Sequence, residues 1–319
     1  MRMTSLSKLA CLVVLLAILG DAHATPTPVL PPPSKPLASG TVTQEGGTTI
    51  VATPHLRRWP VQLDPAVQCA PAGCTQREQL EMTLNRAAQW LAAFPESELR
   101  FDAAVGLNRI RQIVDSDALR RAFEQARVVA DRDADHPQRR FWNPGFTVPA
   151  EQTSRWAVPT DGSRVNPNRV LDEALHCAHN GWRRETMQYA CGAMRDAGGY
   201  QTVHALWAVD IASRNGCVAA ADLTPCVAAL QAELKQHQPS ELQPKATLDI
   251  DLFAERLLFL MLTGEASPLV DHWAKTLLQL QATDGSWGVA TDNEPPYYRY
   301  HATNAATWAL AEWFRRVEK

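Results

Sequence analysis

Asp251 and Glu255 stand four residues apart in an apolar run: Leu252, Phe253, Leu257, Leu258, Phe259, Leu260, Met261 and Leu262. At helical spacing their carboxylates project from one face. Two carboxylates side by side in apolar surroundings raise the pKa of one of them, which gives the pair the means to act as acid and base. The structural alternative is neutralisation of one carboxylate by Arg256 or another cation, the second serving as a cap. Asp249, near the helix start, suits a cap or dipole role. His204 and His301 are the second pair. An imidazole near a helix start can shuttle protons at neutral pH, or sit in the core bonded to a backbone carbonyl. Just upstream of His301, Pro295-Pro296-Tyr297-Tyr298-Arg299-Tyr300 gathers aromatic rings and a guanidinium. Tyr298, Arg299 and Tyr300 are therefore expected ligand contacts. So is Trp142, because Phe141-Trp142-Asn143-Pro144 lies in a proline-rich stretch, 135–167, long enough to cap one mouth of a fold.

These residues need helices to position them. Thr202-x-x-Ala205-x-Trp207-Ala208-Val209 recurs as Thr303-x-x-Ala306-x-Trp308-Ala309-Leu310, each copy after a glycine-aromatic turn, Gly198-Gly199-Tyr200 and Asp284-Gly285-Ser286-Trp287-Gly288. The shared offsets place Thr, Ala and the last aliphatic residue on one helical face. A turn-helix unit used twice implies stacked helical hairpins that bury their apolar faces against each other. His204 and His301 fall near the starts of the two repeat helices, whereas Trp207, Trp308 and Trp287 read as packing residues at the joints. A capping box, Thr75-x-x-Glu78, opens a helix that Pro95 ends. Further helices are expected near 97–114, 117–131, 168–180, 183–197, 201–214, 222–237, 249–263, 268–281 and 302–317. No convincing strand pattern follows Val61. The fold class is all-α, with about ten helices in stacked hairpins.

Gln279-Leu280-Gln281-Ala282-Thr283-Asp284-Gly285-Ser286-Trp287-Gly288 resembles the Gln-Trp repeat motif of squalene and oxidosqualene cyclases. The same turn-helix grammar is found in protein prenyltransferase β-subunits and other α/α-toroid proteins of the terpenoid cyclase-like superfamily. The resemblance covers about 170 to 317 and implies a single α/α toroid, or partial α/α barrel, whose inner helix ends surround a cavity. Leu248-Asp249-Ile250-Asp251-Leu252 looks like the Asp-x-Asp-Asp motif of class II terpene cyclases, with Asp251 as the middle acid. Leu252 stands where that motif has its last Asp, so terpene cyclisation is not the expected activity. Zinc-binding members of the superfamily use Asp, Cys and His, or two Cys and one His. His176-Cys177-Ala178-His179 supplies no such set once Cys177 is in a disulfide, so neither metal nor cofactor is expected. Polysaccharide lyases with α/α barrels use tyrosine, histidine and arginine, the set around His301, and aromatic rings also stack on sugar faces.

Residues 1–24 read as a signal peptide. Arg2 and Lys8 precede an apolar stretch from Leu9 to Leu19, and Ala22-His23-Ala24 supplies the cleavage residues. No later stretch is long and apolar enough to span a membrane. Export makes the seven cysteines informative: loss of Cys11 leaves an even number in an oxidising compartment. Sequence proximity suggests Cys69–Cys74, Cys177–Cys191 and Cys217–Cys226. Residues 25–60 form a Pro- and Gly-rich linker, and 61–319 form the toroid domain. A net charge of −3 without a basic face argues against nucleic acid. The expected protein is periplasmic or secreted and holds a glycan, peptide or lipid in its cavity. The alternative is a polysaccharide lyase or hydrolase of the α/α-barrel type. A glycosidase needs carboxylates about 5 to 9.5 Å apart, and parallel side chains on one helix flank a scissile bond poorly. Oligomeric state is not legible.

Overall fold

In the computed structural model the described residues are 60–69, 73–158, 163, 165–236, 247–288 and 294–317. They belong to one unit, Pro54–Lys319. The expected signal peptide and all but the last residue of the expected linker lie outside the described residues, as does the side chain of Asp249.

The architecture is mostly helical. Helices of eight residues or more are numbered α1 Gln76–Ala93, α2 Ala103–Ile110, α3 Asp117–Ala130, α4 Asn168–Asn180, α5 Gly199–Arg214, α6 Ala220–Gln236, α7 Thr247–Leu262, α8 Pro268–Gln279 and α9 Pro296–Val317. The capping box at α1 is complete. Thr75 Oγ1 accepts from the Glu78 amide, and the Glu78 carboxylate accepts from the Thr75 amide. Pro95 follows the extended cap residue Phe94, where the helix stops. Ser116 caps α3 by accepting from the Leu119 amide.

Three expectations need correction. The helix anticipated over 97–114 is a short 3-10 turn, Glu96–Glu98, followed by α2, after which Val114–Asp115 pairs in parallel with Val61–Gln62. Leu99 and Val114 are buried at the two ends of this stretch, so packing breaks a run that propensity alone would continue. Helix α9 begins at Pro296, six residues before the expected start. Proline at the first helical position forfeits no helical hydrogen bond, and Tyr297, Tyr300 and Asn304 line up on its buried side. Of the expected disulfides only Cys69–Cys74 forms. The others are Cys177–Cys217 and Cys191–Cys226, with Cα atoms 5.9 and 5.3 Å apart. Cys177 lies on α4 and Cys217 just beyond α5, which packs on α4; Cys191 lies in the helical segment 184–197, which packs on α6. Neighbours across a helix interface therefore decide the pairing, and neighbours in sequence do not.

Packing contacts follow a closed circuit. Helix α2 packs on α9, α9 on α7, α7 on α5 and α5 on α4; the 3-10 turn Pro137–Phe141 touches both α4 and α2. Helices α1, α3, α6 and α8 pack onto members of this circuit. Buried side chains follow suit. From Ala302 to Phe314 every residue of α9 is buried, as befits a helix surrounded by others. The threonines of the two repeat copies are both buried but differently bonded. Thr202 Oγ1 donates to the carbonyls of Met194 and Arg195, while Thr303 Oγ1 accepts from the Trp287 amide and donates to Arg299 O. Gly285 has φ +95°, and a Cβ there would stand 2.6 Å from Arg86 O. Glycine is required at that position.

Candidate functional site

A cavity of about 400 Å³ lies within the circuit, and each circuit member contributes to its wall. Asp102 and Gly106 come from α2 and its start, His136 and Gln138 from the 3-10 turn, and Asn168 from α4. His204 and Trp207 come from α5, Glu255 and Phe259 from α7, and His301, Asn304 and Trp308 from α9. The wall is aromatic on one side: Trp207 packs with its ring centroid 4.9 Å from that of Phe259 and 5.9 Å from that of Trp308. Gly106 lets α2 approach α9 closely, since a Cβ there would lie 2.5 Å from Asn304 Oδ1.

The polar end centres on His301. Its Nδ1 lies 2.8 Å from Asp251 Oδ1 and its Nε2 lies 3.3 Å from Asp102 Oδ2. Tyr200 Oη donates to Asp251 Oδ2 at 2.7 Å, and Tyr297 Oη donates to Asp102 Oδ1. Burial alone would lower the His301 pKa, but the Asp251 and Asp102 carboxylates outweigh it and hold the imidazole well above its usual value. Burial likewise raises Asp102, yet the hydrogen bonds from His301 and Tyr297 leave its carboxyl below its ordinary value. Asp102 keeps 41% of its side chain exposed and His301 31%, whereas Asp251 is 4% exposed. Asp251 is thus the buried support, and Asp102 and His301 face the opening. Burial and then the neighbouring Asp251 charge push Glu255 up to about 8. Tyr297 is raised well above its usual value by burial and by Asp102.

Some expected site residues meet and others do not. Asp251, Glu255 and His301 converge, with one donor atom from each lying within 4.8 Å of the others. His204 lines the same cavity, but its Nδ1 donates to Tyr200 O at 2.8 Å, the backbone partner of a core histidine, and burial lowers its pKa. Tyr298, Arg299, Tyr300 and Trp142 are not part of the cavity wall. Arg299 pairs with Asp284 at 2.7 Å, and Tyr300 is buried against Phe94, centroids 4.7 Å apart. The Arg100 guanidinium stands 5.8 Å over the Tyr298 ring. Trp142 packs at a tilt against Phe101, 5.2 Å between centroids, and it is Phe101 that reaches the cavity. Asp102, Tyr200, Tyr297 and Asn304 were not singled out by sequence reasoning. Tyr200 carried a signal as the aromatic residue of a repeat turn, and Tyr297 as a member of the tyrosine cluster before His301; Asp102 and Asn304 carried none.

Among the described residues, three residues of the wall carry a buried polar atom with no hydrogen-bond partner: Glu255 (Oε2), Asn304 (Oδ1) and Trp308 (Nε1). Such atoms are rare in folded proteins because leaving one unpaired costs about 1–3 kcal/mol. No family model, curated protein or solved structure matches this chain. No helix of the described residues is long and apolar enough to cross a membrane.

Proposed function

We propose that this is an exported α/α-toroid protein whose cavity binds a saccharide unit of a larger glycan. The observation that carries the reading is that Glu255, Asn304 and Trp308, residues that line a cavity walled by aromatic rings, each keep a polar atom without a partner. Sugar hydroxyls both donate and accept, so one ligand can satisfy a carboxyl, an amide oxygen and an indole N–H. Its C–H face suits Trp207, Phe259 and Trp308. A volume of about 400 Å³ is within the range of small-ligand sites. A lipid tail fits less well, because Asp102, Glu255, His204 and His301 would be dehydrated against it without compensation. The circuit of helices around the cavity supports the toroid reading, and three disulfides support export.

A lyase or hydrolase is the second reading. It is favoured by the carboxyl groups of Asp102 and Glu255 and the His301 imidazole, which open on one cavity. Asp251, the acid that resembles a cyclase motif, is committed to His301 and Tyr200 and supports the site from behind. An oligosaccharide array followed by calorimetry tests the binding reading. A saturable ligand is expected, with affinity at least tenfold weaker in Asn304→Ala, about 1.4 kcal/mol. Absence of any saccharide ligand, or undiminished binding by that variant, would overturn it. Cleaved products on the same array would establish the enzymatic reading.

A further inference from the structure

Asp251 and Glu255 from one turn of α7 and His301 from α9 each bring one donor atom within 4.8 Å of the other two. We infer that these three side chains form a binding site for one divalent cation of the Zn²⁺ or Mn²⁺ class. Separation is the first support. Asp251 Oδ1 and His301 Nδ1 are 2.8 Å apart, and two adjacent donors of an octahedral shell at about 2.1 Å stand about 3.0 Å apart. The second is the state of Glu255. It is 8% exposed, and its Oε2 has no partner among the described residues. A buried carboxylate oxygen with nothing to bond is a vacant ligand.

The supporting partners form the third argument. Metal-binding histidines almost always give their other ring N–H to a carboxylate or carbonyl, which fixes tautomer and orientation. Here His301 Nε2 faces Asp102 Oδ2 at 3.3 Å, leaving Nδ1 as the metal donor, and Asp102 is itself held by the Tyr297 hydroxyl. Asp251 has the matching arrangement: Oδ2 accepts from Tyr200 at 2.7 Å, leaving Oδ1 for the ion. The ion takes the place of the proton shared between His301 and Asp251.

One imidazole with two carboxylates suits Zn²⁺ or Mn²⁺ better than Ca²⁺, which takes six to eight oxygens. Cys69, Cys74, Cys177, Cys191, Cys217 and Cys226 are paired in disulfides and offer no thiolate. Three protein donors leave positions open toward the cavity for water or a ligand oxygen.

The inference draws on Glu255 Oε2, which the saccharide reading also uses, and it is tested without any saccharide. Chelator-treated protein, with its disulfides intact, is titrated with Zn²⁺, Mn²⁺ and Ca²⁺ in a calorimeter. The expected result is one Zn²⁺ or Mn²⁺ per chain, with Ca²⁺ at least tenfold weaker. Glu255→Gln is expected to weaken binding more than tenfold, and Asp102→Asn, a positioning residue, 10- to 100-fold at unchanged stoichiometry. A second readout needs no variant: substoichiometric Mn²⁺ is expected to broaden the His301 ring signals and leave His272 sharp. Failure of Zn²⁺ and Mn²⁺ to bind at 1 mM would overturn the inference, as would binding undiminished in Glu255→Gln or broadening confined to other histidines. Repeating the saccharide titration in chelator separates the two proposals, since each can fail while the other holds.

Discussion

Asp251 shows how one carboxylate is fully employed. One oxygen accepts from Tyr200, the other pairs with His301, and the residue is 4% exposed. Asp251→Asn keeps the shape and an acceptor for Tyr200 but removes the charge that His301 relies on. It should lower stability by about 1–3 kcal/mol, the scale of breaking a buried polar network. Urea denaturation at neutral pH measures this, and an unchanged midpoint would contradict it. Asp172, behind the wall residue Gln138, behaves differently. Burial pushes its carboxyl up to about 7, against the opposing hydrogen bond with Gln138, and its Oδ1 has no partner among the described residues. Between about pH 4 and 7 the folded chain therefore holds a proton that the unfolded chain has released. Stability contributed by this group falls as pH rises through that window and levels off above it. Asp172→Asn should flatten the fall and stabilise the protein at pH 8 by roughly 2–4 kcal/mol. His176, whose imidazole burial holds below its usual value, is common to both proteins, so the difference between their urea profiles reports Asp172. Parallel profiles would contradict the assignment.

Turns and crosslinks place the elements that carry these residues. Gly285 and Gly264 both have positive φ, but only Gly285 approaches another backbone, Arg86 O. Gly264→Ala should cost about 1–2 kcal/mol, the left-handed backbone penalty, and Gly285→Ala distinctly more; equal costs in denaturant titrations would refute the close-approach argument. Cys177–Cys217 and Cys191–Cys226 close loops of 40 and 35 residues, each worth about 4 kcal/mol in the chain-entropy model. Non-reducing peptide mapping should recover these two pairs; recovery of Cys177–Cys191 would contradict the helix packing around them. Sequence periodicity located α5, α7 and most of α9, and with them Glu255, His204 and His301, because their apolar faces are local patterns. Asp102 carried no such signal. Its role depends on α2 meeting α9 about two hundred residues later, through Tyr297 and His301. Cysteine pairing was illegible for the same reason, being a property of which helices touch. Tyr298, Arg299 and Tyr300 drew notice as a cluster of types, yet α9 extends through them and turns its successive side chains to different surroundings.

At the scale of the molecule, a circuit of helices encloses a cavity that is aromatic on one wall and crowded with ionisable groups on another. Helices supply rigid positions for that contrast, since residues from five helices and one 3-10 turn meet there without any strand in the wall. Positioning groups on rigid elements keeps a site precise. Charge asymmetry does the rest: Asp102, Asp251 and His301 form a linked chain at one end, and Trp207, Phe259 and Trp308 form the other. The central claim is that this cavity is where a saccharide binds. Tryptophan fluorescence tests it most directly, because Trp207 and Trp308 line the cavity while Trp273, Trp287 and Trp313 are buried elsewhere. Wild-type protein and a Trp207→Phe, Trp308→Phe variant, checked for fold by circular dichroism, are titrated with the best saccharide of the array. A saturable change in the wild type that disappears in the variant is the predicted result. A saturable change of the same size in both proteins would place the saccharide outside the cavity and contradict the account.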